Sequence, residues 1–169
     1  MKLDIIRAVE ADIPALIHWR KDALKLAPEA FGASAAEGVD ETWMRAVMGL
    51  PNSPVRHDIW MAMVEGELAG AVGMVGNKRI KQAHKGNIWG MFVYPKWRGE
   101  GIGRLLLEKC IEEGKADPAL EQVHLSVIEG EGPAFRLYRR LGFEPYGREP
   151  RGFKIGDRYL DLIYLALRL

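Results

Sequence analysis

The sequence predicts an α/β fold, a mixed, mainly antiparallel central sheet flanked by helices on both faces. Three observations carry this. Apolar residues alternate with period two in several short segments and recur near helical spacing in others. The segments follow the order βααβββαβαββ, with strands outnumbering helices in the middle, which favours antiparallel pairing. The chain of 169 residues is 48% hydrophobic and 28% charged, enough to bury a core without a disulfide or a metal. No Ser-, Pro- or Gly-rich linker interrupts it, so residues 1–169 read as one domain.

Residues 3–9 are β-branched enough for a first strand. Asp12 then offers an N-cap and Pro14 suits a first helical turn. Ile13, Leu16, Ile17, Leu24 and Ala27 fall near helical spacing, and Pro28 ends that helix. Asp40 and Glu41 open a second helix with the stripe Trp43, Val47 and Leu50, stopped by Pro51 and Pro54. Strands follow at 59–64 and 68–75, joined by the turn signal Glu65-Gly66-Glu67. A third strand at 87–93 ends at Pro95. A helix at 101–113 turns Ile102, Leu105, Leu106, Cys110 and Ile111 inward, with Gly114 as its left-handed terminator. Residues 123–128 read as a strand, 133–141 as a helix closed by Gly142, 143–146 as a strand, and 158–169 as a closing strand.

Composition excludes several function classes. The 24 Lys and Arg against 23 Asp and Glu leave a formal charge of +1, so no global field draws nucleic acid or an anionic membrane. The short basic run Lys78, Arg79, Lys81, His84 and Lys85 reads as a solvated hairpin tip rather than a nucleic-acid contact. A lone cysteine, Cys110, cannot form an internal disulfide and fits a reducing compartment; its place on an apolar helix face makes it an inert core thiol. No apolar run approaches the ~20 residues of a membrane span, and the N-terminus, acidic by Glu10, shows no signal peptide. A cytoplasmic protein is the expectation.

The most informative stretch runs from Val93 through Tyr94-Pro95-Lys96-Trp97-Arg98-Gly99-Glu100-Gly101-Ile102-Gly103-Arg104 to Leu107. A strand feeds a glycine-dense loop, which feeds an amphipathic helix. The helix start leaves unpaired N–H groups and about half a positive charge. Glycines let backbone close on a ligand, and Arg98 and Arg104 add formal charge, so the segment reads as a phosphate site. A P-loop needs Gly, four residues, then Gly-Lys-Ser/Thr, which the chain lacks. A dinucleotide fingerprint needs its first glycine tight against the strand end, whereas five residues separate Val93 from Gly99. Both nucleotide readings fail on spacing.

The arrangement resembles motif A of the GNAT superfamily of acyl-CoA N-acyltransferases: Arg or Gln, two residues, Gly, one residue, then Gly or Ala. Arg98, Gly101 and Gly103 match it. A later family segment is matched by Leu125, Val127, Ala134, Leu137, Tyr138, Gly142 and Phe143. The early stretch Ala23-Leu24 with Pro28-Glu29-Ala30-Phe31-Gly32 is similar to the first-helix region of many bacterial members, so the resemblance spans nearly the whole chain.

The resemblance implies a GNAT-like fold and transfer of an acetyl group from acetyl-CoA to a primary amine by direct attack in a ternary complex. It implies that Arg98, Gly99, Gly101, Ile102, Gly103 and Arg104 hold the cofactor pyrophosphate, and that strand amides near Met91 and Val93 hold the pantetheine and polarise the thioester carbonyl. The splay between that strand and residues 125–127 would form the channel. Ala134 and Glu131 belong to the second cofactor motif. Glu131 departs from the pattern: the family often has Asn there, and an ionised carboxylate accepts but cannot donate. Tyr138, as general acid, would protonate the departing thiolate.

The residues leave other points open. Tyr138 shares a face with Phe135 and Leu141 and can be read as packing. The third strand carries no carboxylate, so Glu129, Glu131, His124 and Asp161 stand as candidate bases beside deprotonation through water. Trp89, Tyr94 and Trp97 line an acceptor pocket or simply pack. The pocket is expected from the first helices and the 148–157 loop. A small-molecule amine is the expected partner, with no metal; a non-catalytic acyl-CoA-binding module or a protein-acting acetyltransferase are the alternatives. The long apolar last strand, 159–167, is either central or pairs across a two-fold axis, and a homodimer is expected on the second ground.

Overall fold

The computed structural model describes residues 2–169. Its strands are β1 (Leu3–Arg7), β2 (His57–Val64), β3 (Glu67–Gly76), β4 (Lys85–Val93), β5 (Gln122–Ile128), β6 (Glu144–Ile155) and β7 (Arg158–Arg168); its helices are α1 (Ile13–Leu26), α2 (Glu41–Val47), α3 (Ile102–Ala116) and α4 (Pro133–Arg140). They form one sheet in the order β1-β2-β3-β4-β5-β7-β6. All neighbours are antiparallel except β4 and β5, which run parallel. The mixed sheet and the element order agree with the sequence expectation.

Local chemistry explains the boundaries. The Asp40 carboxylate accepts from the Trp43 N–H at 2.8 Å and caps α2. The two-residue turn Glu65-Gly66, both with positive φ, joins β2 to β3 as a tight hairpin. Gly142, at φ 93°, closes α4 in the left-handed conformation that glycine adopts without strain. Asp12 behaves differently from expectation. Its carboxylate accepts from the Val9 N–H at 2.8 Å, closing the turn that precedes α1 rather than capping the helix itself.

Three further expectations are corrected. Gly114 lies inside α3, which runs on to Ala116; a Cβ there would sit 3.1 Å from Leu169, so this glycine serves close packing rather than termination. The short strand at 143–146 is the start of the twelve-residue β6, and residues 148–155, expected in a loop, continue that strand. Charge and Pro150 disguised it, yet an edge strand tolerates both, and Pro150 falls in the irregular register between Glu149 and Phe153. The apolar β7 lies between β5 and β6. It is therefore central, and the edge on which the homodimer expectation was grounded belongs to β6.

Two cores sit on opposite faces of the sheet. One packs α3 and α4 against it through Ile102, Leu106, Leu107, Cys110 and Tyr138. The other packs α1 and α2 through Leu16, Trp19, Leu24 and Met44.

Candidate active site

The parallel pairing of β4 with β5 lasts three rungs, Lys85 with Gln122, Gly86 with Val123 and Asn87 with His124. Beyond them the strands diverge. A cavity of about 630 Å³ fills the opening, walled by residues 88–91 of β4, 125–129 of β5, the start and inner face of α4, and residues 26–31 after α1.

On its other side β4 pairs with β3, with a register break: Ala71 faces Phe92 but Gly73 faces Trp89. Gly90 and Met91 together oppose Val72, which is a β-bulge. Gly90 adopts φ 69°, the left-handed state that glycine reaches at no steric cost. A bulge frees a backbone N–H from the ladder, and this one stands on the cavity wall. Sequence reasoning passed over Gly90; the available signal was a glycine inside a strand pattern.

Tyr138 lines the cavity from α4, is 7% exposed, and meets the Phe143 ring edge-on at 6.0 Å. Burial pushes its phenol up to about 12, so the hydroxyl remains a proton donor throughout the neutral range.

The glycine loop lies outside the cavity lining, on the α3 side of Met91. Gly99 and Gly101 have φ of 87° and 78°, and nothing lies within 4 Å of a Cβ on either, so this backbone faces open space. The first helical bond of α3 runs from the Leu105 N–H to the Gly101 carbonyl, and among the described residues no side chain caps the N–H groups of Ile102, Gly103 and Arg104. Gly103 plays a different part: a Cβ there would lie 2.8 Å from Met91 Cε, so its bareness lets α3 dock onto β4 beside the cavity. Arg98 donates through Nε to the Val93 carbonyl at 3.0 Å, tying the loop to the strand end. Arg104 pairs with Glu108 at 2.7 Å. These donors, together with the bare glycines, suit a pyrophosphate; among the described residues no cluster of His, Cys, Asp or Glu could hold a metal.

Not every predicted residue meets the cavity. Met91 and Ala134 line it. Val93 stands beyond, paired with Gly70 on β3. Glu131 is exposed and outside the lining; its backbone carbonyl accepts from Arg136. Of the candidate bases, Glu129 alone lines the cavity, and both its oxygens accept from Arg148 at 2.8 and 3.0 Å. Asp161 pairs with the same guanidinium and accepts from the Arg151 N–H. His124 lies between Tyr146 and Gln122, where burial, aided by Lys85 and His84, lowers its pKa. Trp89 is on the cavity wall and meets Trp43 edge-on at 6.1 Å. Tyr94 instead donates to Asp22 at 2.9 Å, and Trp97 packs under Lys96.

A family model described as Acetyltransferase (GNAT) family matches residues 18–143. The chain is 28% identical to the L-methionine sulfoximine/L-methionine sulfone acetyltransferase of Pseudomonas paraeruginosa, over 100% of this chain and 96% of that protein. It is 24% identical to the L-amino acid N-acetyltransferase AaaT of Escherichia coli, over 63% and 65%. The solved structure of yncA from Salmonella typhimurium with its cofactor acetyl-CoA superposes with a TM-score of 0.83 at 21% identity, covering 100% of this chain and 95% of that one.

Proposed function

The chain belongs to the GNAT acetyltransferase family, and from that membership we propose that its acceptor is a small amino-acid-like amine, acetylated in the cavity between β4 and β5. As a member it is an acetyl-CoA-dependent N-acetyltransferase. The preference for amino-acid-like acceptors draws support from relatives whose names carry methionine sulfoximine and L-amino acids.

One observation carries the placement: β4 leaves β5 after three rungs and exposes strand backbone to a cavity that also holds a buried tyrosine. The N–H groups of Ile102, Gly103 and Arg104, with the bare Gly99 and Gly101, hold the pyrophosphate at the start of α3. The free side of β4 around Met91 accepts the amide-bearing arm as an added strand would. Acetyl-CoA supplies the activated acetyl thioester. The bulge amides at Gly90 and Met91 face the position where negative charge develops on the carbonyl oxygen. Tyr138 donates its phenolic proton to the departing sulfur as the C–S bond breaks and regains one from the newly bonded nitrogen. Arg148 engages both oxygens of Glu129, so the ammonium proton leaves through water, with Glu129 on the wall beside it.

Purified protein incubated with acetyl-CoA and a panel of small amines should release free thiol only with acceptors present, and mass spectrometry should find a product heavier by one acetyl group. Thiol release without an acetylated amine would refute the reading.

A further inference from the structure

The face of the sheet opposite the phosphate loop holds a buried charge that makes no ion pair within bonding distance among the described residues. Arg20, on α1, is 6% exposed, and its Nε and Nη1 are buried without a hydrogen-bond partner. Phe31 lies 4.6 Å and Trp43 5.7 Å from the guanidinium. Such cation–π contacts return less than an unpaired buried ion costs. An arginine that merely filled this space would be inferior to methionine or leucine. Glu37 raises its pKa from a distance while burial, the larger effect, lowers it, but the Glu37 carboxylate is engaged with the Ser34 N–H at 2.7 Å.

Position gives the charge a use. Arg20 Nη1 lies 3.7 Å from the place a Cβ on Gly90 would occupy, directly behind the bulge, and Gly90 and Phe31 both line the cavity. The cofactor phosphates belong at the start of α3, on the other face of the sheet, so they are not its counter-ion. An acceptor is. Its amine must stand at the thioester, against the bulge, and its anionic group must then lie very close to that amine. In an α-amino acid the amine nitrogen and the carboxyl carbon are about 2.5 Å apart. A polyamine or a lysine side chain offers no anion at that distance.

We infer that Arg20 binds the α-carboxylate of the acceptor and thereby restricts this enzyme to α-amino acids. The inference rests on acetyl transfer occurring in the β4–β5 cavity, as proposed above. The carboxylate comes in past Phe31, which stands between that cavity and a second one of about 520 Å³ bordered by residues 152–156, so its ring has room to turn. The carboxylate supplies an acceptor that the guanidinium lacks through a charge-assisted N–H···O bond to Nη1, the nitrogen nearest the bulge.

The test compares neutral L-amino acids with their α-amides and their decarboxylated amines as acceptors for the intact protein. The wild type should favour the acids over both analogues by at least a hundredfold in kcat/KM. Arg20→Met should reduce that ratio below tenfold, chiefly by raising KM for the acids, and Arg20→Lys should restore part of it. A residue with only a packing role would lower turnover of acids and amides in equal proportion, which overturns the inference, as does a wild type that acetylates amides as well as acids. If neither variant melts cooperatively, the wild-type ratio decides. Failure of every amine in the panel would refute acetyl transfer itself, and the role of Arg20 with it; amine turnover without carboxylate preference refutes only the role of Arg20.

Discussion

Gly73 of β3 and Trp89 of β4 face each other so closely that a Cβ on Gly73 would lie 2.1 Å from the indole. The absent side chain on one strand is the space in which the other strand's tryptophan lies flat, and that tryptophan walls the cavity. Gly73→Ala should expel the ring, costing about 1–3 kcal/mol as an overpacked core site. Thermal melting should fall, tryptophan emission should shift to the red, and KM for the amine should rise more than KM for acetyl-CoA. An alanine variant with unchanged melting and emission would mean that β3 simply moves aside.

Tyr138→Phe keeps the ring against Phe143 and removes the proton donor. General-acid catalysis contributes about 10²–10⁴-fold, so kcat should drop on that scale while the Kd for acetyl-CoA holds. The pH dependence has a definite sign. Burial raises the phenol from 10.0 to about 12, so the stability it contributes is complete below pH 10 and is lost as pH climbs toward 12. No loss of kcat due to this group should occur between pH 7 and 10. A phenylalanine variant turning over within threefold of the parent, with chemistry rate-limiting, would return Tyr138 to a packing role.

Gly101 offers a test of the phosphate loop with little cost to folding. Nothing crowds its Cβ position and its φ is 78°, so substitution costs about 1–2 kcal/mol of backbone strain. Gly101→Glu should weaken acetyl-CoA at least a hundredfold by placing a carboxylate among the phosphates; Gly101→Asn, whose residue type tolerates this φ, should weaken it less. Wild-type protein at a hundredfold excess over Kd should gain about 2.7 kcal/mol. Equal stabilisation of wild type and Gly101→Glu would remove the phosphates from this loop.

Cys110 is buried in the α3 core, and burial pushes its thiol up to about 12. A thiol reagent should label none of the native protein in an hour and one equivalent after denaturation, since the thiolate is the reactive form. Rapid native labelling would show that α3 opens, and would also spoil thiol release as an assay.

What the sequence made legible was what depends on near neighbours. The glycines at 99 and 101 and the tyrosine four residues after Ala134 could be read because turn geometry and spacing are local properties. Pro28 and Pro95 marked element ends for the same reason. Gly114 was misread because a glycine late in a helix can serve either a terminator or a close contact, and Leu169, the contact, is 55 positions away in the chain. The bulge at Gly90 depends on the register of β3, and the isolation of Arg20 depends on which side chains surround α1. Neither quantity exists until the sheet is assembled. β6 escaped because an edge strand carries the charge and proline that otherwise signal a loop.

The three-rung ladder gives this sheet an edge in its interior. From Ile88 onward β4 has a strand partner on the β3 side alone, yet it sits fourth of seven strands. Outer edges are usually guarded by charge, proline or a covering helix; β6 has the first two, and this inner edge has neither along Ile88-Trp89-Gly90-Met91-Phe92. Its guard is geometric, because β5 and α4 wall the other side of the slot. In the nascent chain, before β5 to β7 are in place, the same edge stands open and apolar. A ligand bound across the slot would join the two halves of the sheet, so the stabilisation expected from excess acetyl-CoA would report on this seam.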